Sequence, residues 1–155
     1  MARAERKGIK NYTTQISVER TISEIEKLLA KHGAKKILKD YDDDGVSALS
    51  FMIQIDSGYI PIKIPVRADR VVQMLNKEYN KGSIAKKFKD NIEQARRIMW
   101  RIILDWLDAQ MTMIEVGQRE LIEVFFADIL DLKTNKTLYE QVSNNLSSYL
   151  IEFKG

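Results

Sequence analysis

The chain of 155 residues has no cysteine. That excludes a disulfide scaffold, a thiolate zinc site, an iron–sulfur cluster and a cysteine nucleophile. Histidine occurs once, as His32, so neither a His-Cys-Cys deaminase centre nor a two-histidine zinc site assembles within one chain. The seven glycines are scattered. They form neither a GxxxxGK motif followed by Ser or Thr nor a GxGxxG motif, and nothing supports a phosphate-cradling loop. No apolar run approaches the roughly 20 residues that cross a bilayer. The opening Met-Ala-Arg-Ala-Glu-Arg-Lys has no apolar stretch of the kind a secretory signal needs. These absences predict a soluble, cytoplasmic protein with no membrane partner.

Apolar residues make up 45% and charged residues 30%, an ordinary balance that supports one core. The net charge of +3 hides strong segregation. Residues 1–39 carry +6, residues 40–58 carry −5, residues 59–101 carry +7 and residues 102–155 carry −5. Such a chain builds a two-signed surface or neutralises itself within the fold or a homodimer.

Residues 1–11 are polar and basic with no apolar period and read as a flexible basic arm. Residues 12–17 are β-prone. Ser17 then precedes Val18, Ile22, Ile25, Leu28 and Leu29 at helical spacing and reads as their N-cap, with Thr21-Ile-Ser-Glu24 as a competing capping box. Gly33 ends that helix. His32, in its last turn, reads as a capping residue favoured there by the helix dipole. Three strands follow, over residues 34–41, 46–56 and 59–66. In the last, Ile60, Ile62, Ile64 and Val66 alternate against Pro61 and Pro65, the only prolines. Proline cannot donate to a ladder, so this strand belongs at a sheet edge.

Residues 68–79 form a short helix on Val71, Val72, Leu75 and Tyr79. The dominant feature is a long helix over residues 91–118, striped by Ala95, Ile98, Met99, Ile102, Ile103, Trp106, Leu107, Met111 and Ile114. Its other side carries Glu93→Arg97 and Arg101→Asp105 at i,i+4 spacing. So wide a stripe suggests burial on two sides, by the sheet and by a second protomer. Residues 119–132 read as a second amphipathic helix and residues 137–153 as a weaker third. The expected fold class is α+β: a small antiparallel sheet in the order β-α-β-β-β, packed against a long amphipathic helix and C-terminal helices. It forms a single α+β domain over residues 12–155, with a sheet-bearing half at 12–79 and a helical half at 90–155.

Asp40, Asp42, Asp44 and Gly45 match the opening of a calcium-binding EF-hand loop, but the twelfth position, where a bidentate Glu is needed, is Phe51. An acidic hairpin tip is the better reading. Asp105 with Asp108, Glu120 with Glu123, and Asp128 with Asp131 share helix faces, as solvated acidic pairs commonly do. No other catalytic residue type surrounds them. The expectation is therefore a protein that is not an enzyme, with no catalytic residue, no metal and no cofactor.

Basic residues carry the one positive signal. Arg3, Arg6, Lys7 and Lys10 lie in the arm, and Lys81, Lys86, Lys87, Lys89, Arg96, Arg97 and Arg101 lead into the long helix. Tyr79, Phe88 and Trp100 interleave with them. Cations that track phosphates beside rings that stack on bases are what single-strand binding uses. These eleven cations and Phe88 are the expected nucleic-acid-binding residues. No RRM, KH, helix-turn-helix or zinc-finger signature accompanies them.

Residues 12–111 also resemble an uncharacterised phage- and prophage-associated family. The matching stretches are Tyr12-Thr-Thr-Gln-Ile-Ser17, Ile25-Glu-Lys-Leu-Leu-Ala-Lys-His-Gly-Ala34, Ala48-Leu-Ser-Phe51, Ile60-Pro-Ile-Lys-Ile-Pro65, Ala95-Arg-Arg-Ile-Met-Trp-Arg-Ile-Ile103 and Trp106-Leu-Asp-Ala-Gln110. The resemblance implies a mobile-element context and the cytoplasm of a host cell, and transfers no catalytic residue. Small proteins of that context often bind nucleic acid or block a host defence. Two expectations follow. One is a phage-type accessory protein that binds nucleic acid, single-stranded or without sequence preference. The other is a protein–protein inhibitor of a bacterial defence system, anti-CRISPR-like or otherwise, that uses the acidic residues 40–44 or 105–152 or an apolar surface. A host or phage protein and a second copy of the chain, joined through helices, are the expected protein partners.

Overall fold

A computed structural model describes residues 8–151. Its elements run α1 (Val18–Lys31), β1 (Ala34–Asp42), β2 (Gly45–Ile55), β3 (Gly58–Pro65), α2 (Ala68–Asn80), α3 (Ile92–Glu115), α4 (Leu121–Phe125), β4 (Leu130–Asp131), β5 (Lys136–Thr137) and α5 (Leu138–Val142). Short 3₁₀ turns occupy Lys86–Phe88, Phe126–Asp128 and Ser143–Tyr149. The fold is α+β, with a three-stranded antiparallel sheet in the order β1-β2-β3 and a separate two-stranded hairpin of β4 and β5.

The sheet follows from the alternation of its sequence. In β2, Leu49, Phe51 and Ile53 point inward and face Ile64, Ile62 and Ile60 of β3. Both prolines sit on β3, an edge strand whose far side makes a single bridge, Ile62 with Ile129. Ser17 caps α1 as expected, accepting a hydrogen bond from the Arg20 N–H at 3.1 Å. Thr21 is instead buried in the first turn. At the end of α3, the left-handed backbone of Gly117, with φ of 78°, lets the Gly117 and Gln118 N–H groups return to the carbonyls of Ile114 and Met113. A side chain would be penalised in that conformation.

Two hydrophobic clusters share α3. The first joins the inner face of the sheet to Ile22, Ile25 and Leu29 of α1, to Trp100, Ile103, Leu107 and Met111 of α3, and to Phe125. The second joins Val71 and Leu75 of α2 to Ile84, Phe88, and Ala95 and Ile98 of α3. Most of the wide stripe of α3 is thus covered by α1, α2 and the sheet of its own chain, and Trp106 is left 38% exposed. Each fully buried Leu or Ile contributes about 1.5–3 kcal/mol relative to exposure, and α3 collects such residues on two sides.

Four expectations need correction. Residues 12–17 form turn and coil rather than a strand. The Tyr12 and Thr14 carbonyls accept hydrogen bonds from Nε2 of Gln94, at 2.9 Å each, where a strand would have used a ladder. The helix expected over 119–132 stops at Phe125. Ile129 pairs with the β3 edge, and Asp131 holds the following turn by accepting from the Lys133 N–H at 2.9 Å. The third helix shrinks to α5, fixed by a capping box of Thr137 and Glu140, and a 3₁₀ turn. Of the expected flexible arm, residues 8–11 are fastened. Ile9 donates its N–H to Glu78 and packs on the second cluster, and Asn11 donates to Asp105.

His32 ties the end of α1 to the end of α3. The Leu28 carbonyl accepts from its Nδ1 at 2.9 Å, and Glu115 Oε1 accepts from its Nε2 at 2.7 Å. Only the imidazolium donates from both nitrogens at once. The Leu28 carbonyl, then Glu115, raise its pKa above the usual 6.5. Because the folded value exceeds the unfolded one, the stabilisation is complete below the unfolded value and is lost as pH rises through the folded one. Urea unfolding midpoints are therefore expected to fall as pH rises above the ordinary histidine value of about 6.5, and His32→Gln is expected to flatten that fall.

Candidate nucleic-acid interface

The segment between α2 and α3 is anchored from below. Ile84 and Phe88 insert into the second cluster. Phe88 meets the Tyr12 ring edge-on at 5.4 Å. Asn76 and Asp90 exchange two hydrogen bonds, of 2.7 and 2.9 Å, across the base of the loop. Asn91 caps α3 by accepting from the Gln94 N–H at 3.0 Å. With its apolar residues buried, the loop turns Lys81, Lys86, Lys87 and Lys89 outward, and all four are exposed. Lys87 Nζ lies 5.1 Å from the centre of the Phe88 ring, and Lys89 Nζ lies 5.3 Å from that of Tyr79. None of the four makes a salt bridge among the described residues.

Beside this loop runs a groove of about 820 Å³. Tyr12, Thr13, Gln15, Lys87, Asn91, Gln94 and Arg97 are among the residues that line it. Arg97 is held in place, donating from Nε and Nη2 to Gln94 Oε1 at 3.0 and 2.7 Å. Gln94 itself donates to residues 12 and 14, so one buried amide links Tyr12 to the Arg97 guanidinium.

The other expected cations are placed differently. Arg96 is buried at 5% exposure; it donates to the Val46 carbonyl at 2.7 Å and to Asp42 Oδ2 at 2.5 Å. Arg101 donates to Glu24 at 2.7 Å. Lys10 pairs with Asp105 at 2.8 Å. The Arg96 guanidinium, then the Asp44 N–H, hold the Asp42 carboxyl below the usual range. Burial works against the charge of Asp105, but Lys10 and Asn11 outweigh it and leave its pKa lowered. Phe88, expected as a stacking ring, is in the core with 9% exposure, and Trp100 is wholly buried. Neither i,i+4 pair expected on α3 forms: Arg97 turns to Gln94, and Arg101 to Glu24. Arg3, Arg6 and Lys7 lie outside the described residues.

The acidic tip is likewise used within the chain, Asp42 by Arg96 and Asp40 by Lys63 at 3.5 Å. Among the described residues no three His, Asp or Glu side chains gather to hold a metal ion. No helix among them is long and apolar enough to cross a membrane. Tyr12, Asn91 and Gln94 were not among the residues expected at this surface. Ser/Asn-type capping at the start of α3 was the one local signal for Asn91, and nothing local marks the long-range role of Gln94. No family model, curated protein or solved structure matches the chain.

Arg96→Ala removes a buried guanidinium together with its hydrogen bonds to the Val46 carbonyl and to Asp42. It is expected to destabilise the fold by about 1–3 kcal/mol in urea titrations. Lys87→Ala, at an exposed position, is expected to change stability by under about 0.5 kcal/mol.

Proposed function

We propose that the chain is a non-enzymatic, phage-type accessory protein that binds nucleic acid, single-stranded or without sequence preference, through the lysine loop and the adjoining groove. The observation that carries this reading is the contrast among the cations. Arg96, Arg101 and Lys10 are matched by carboxylates, whereas Lys81, Lys86, Lys87 and Lys89 of one loop are exposed and make no salt bridge among the described residues, and Lys87 lines the groove with Arg97. Unmatched lysines along a groove neutralise phosphates and release counterions. With Phe88 in the core, Tyr12, which lines the groove, offers a ring to a base. The resemblance of residues 12–111 to a phage-associated family supports the biological setting, and a host-cell cytoplasm goes with it.

A second reading, a protein-binding inhibitor of a bacterial defence system, is favoured by a separate observation. Leu146, Tyr149, Leu150 and Ile151 follow one another near the end of the described chain, and each is about half exposed or more. Contiguous exposed apolar residues mark protein contacts, with a host protein or a second copy. Pull-down from host lysate with nuclease treatment separates the two readings, because only a protein partner survives it.

Fluorescence anisotropy with a labelled single-stranded oligonucleotide tests the first reading. Binding is expected at low salt and to weaken steeply as salt rises. Replacing Lys81, Lys86, Lys87 and Lys89 together by alanine is expected to abolish most of it and to make the slope of log affinity against log salt shallower by about 3. Absence of binding by the parent chain at low salt contradicts the reading.

A further inference from the structure

A second cleft, of about 590 Å³, opens between α2, α3 and the end of β3. It shares no lining residue with the groove at the lysine loop. Its volume falls within the ~300–1,000 Å³ typical of small-molecule sites. Ile9, Val71, Met74, Met99, Ile102 and Trp106 build an apolar wall. Met74 and Trp106 remain 42% and 38% exposed there. Trp106 is nonetheless fixed, standing edge-on to Phe125 at 5.9 Å.

Among the described residues, three charged side chains line this cleft. Arg67, at the residue before α2, and Arg70, one turn on, are both exposed and make no salt bridge among the described residues. The third, Asp128, comes from the 3₁₀ turn after α4. Burial pushes the Asp128 carboxyl up and Arg67 pulls it down, and among the described residues no salt bridge joins Asp128 to either guanidinium. An apolar wall beside unmatched guanidinium groups selects a ligand with an apolar body and one anionic head. A neutral hydrocarbon leaves the arginines unused. A polyanion leaves the apolar wall wet. A cationic amphiphile is repelled.

We propose that this cleft binds a small amphipathic carboxylate, with its apolar body against Trp106 and Met74 and its head on Arg67 and Arg70. Guanidinium groups take carboxylates in paired, charge-assisted hydrogen bonds, which supplies the preference for this head.

Calorimetric titration of the full chain with decanoate, decanol and acetate, each below any micellar concentration, tests the proposal. Decanoate is expected to bind about tenfold more tightly than decanol, and acetate not to bind detectably. Arg67→Ala with Arg70→Ala is expected to lower decanoate affinity about tenfold and to leave decanol unchanged. Both arginines are exposed, and circular dichroism checks that the fold is kept. Asp128→Asn, which removes the competing acid, is expected to raise decanoate affinity about threefold. No heat with decanoate overturns the proposal, as does equal binding of decanoate and decanol, or undiminished decanoate binding by the double arginine variant. The fourfold lysine variant is expected to bind decanoate as the parent does, so failure here and failure of the nucleic-acid reading are separate outcomes.

Discussion

Everything in this fold is arranged around α3. One helix must bury apolar side chains on two sides, and each of the two hydrophobic clusters depends on it. Trp100 and Leu107 close the sheet from one side, and Ala95 and Ile98 close α2 and the loop that follows it from the other. Polar residues of the same helix then act as long-range ties. Gln94 holds the segment before α1, Arg96 the β1–β2 turn, Arg101 α1, and Asp105 the N-terminal Lys10 and Asn11. Removing the helix would leave the sheet with one open face and α2 with nothing to pack on.

This arrangement explains how the segregated charge of the sequence is resolved. Three ion pairs join a basic stretch to an acidic one: Lys10 with Asp105, Lys63 with Asp40 and Arg96 with Asp42. Arg96 and Arg101, whose planar forks satisfy several acceptors at once, are drawn in, while the lysines of the α2–α3 loop stay in solvent. That fits the strong hydration of an ammonium group and the weaker hydration of a guanidinium. The net charge of the segment does not carry this distinction.

Periodicity made the regular parts of the fold legible. The alternation of Leu49, Phe51 and Ile53, the prolines of β3, the cap at Ser17 and the stripe of α3 all state their structures locally. Residues 12–17 and 119–132 do not. Their backbone goes where a distant partner takes it, to the Gln94 side chain in one case and to the edge of β3 at Ile62 in the other. Tertiary pairing overrode an amphipathic period that, taken alone, was sound. The candidate site shows the same limit. The lysine loop could be read from composition, but that Arg96 would be buried on Asp42 and Phe88 placed beneath Tyr12 depends on contacts over long stretches of sequence. The cleft at Trp106 was equally hidden. Arg67 and Arg70 looked like two more cations of a basic stretch until the fold set them beside an apolar wall.

The central claim is that pairing within the chain, more than the count of basic residues, decides which cations are open to a polyanion. Amide and side-chain NMR of the labelled protein, titrated with a single-stranded oligonucleotide at low salt, tests this most directly. The account predicts shifts concentrated at Tyr12, Lys81, Lys86, Lys87, Lys89 and Arg97, with the Arg96 and Arg101 guanidinium signals unmoved. Shifts centred on Arg96, Arg101 and Lys10, with the loop lysines silent, would contradict it.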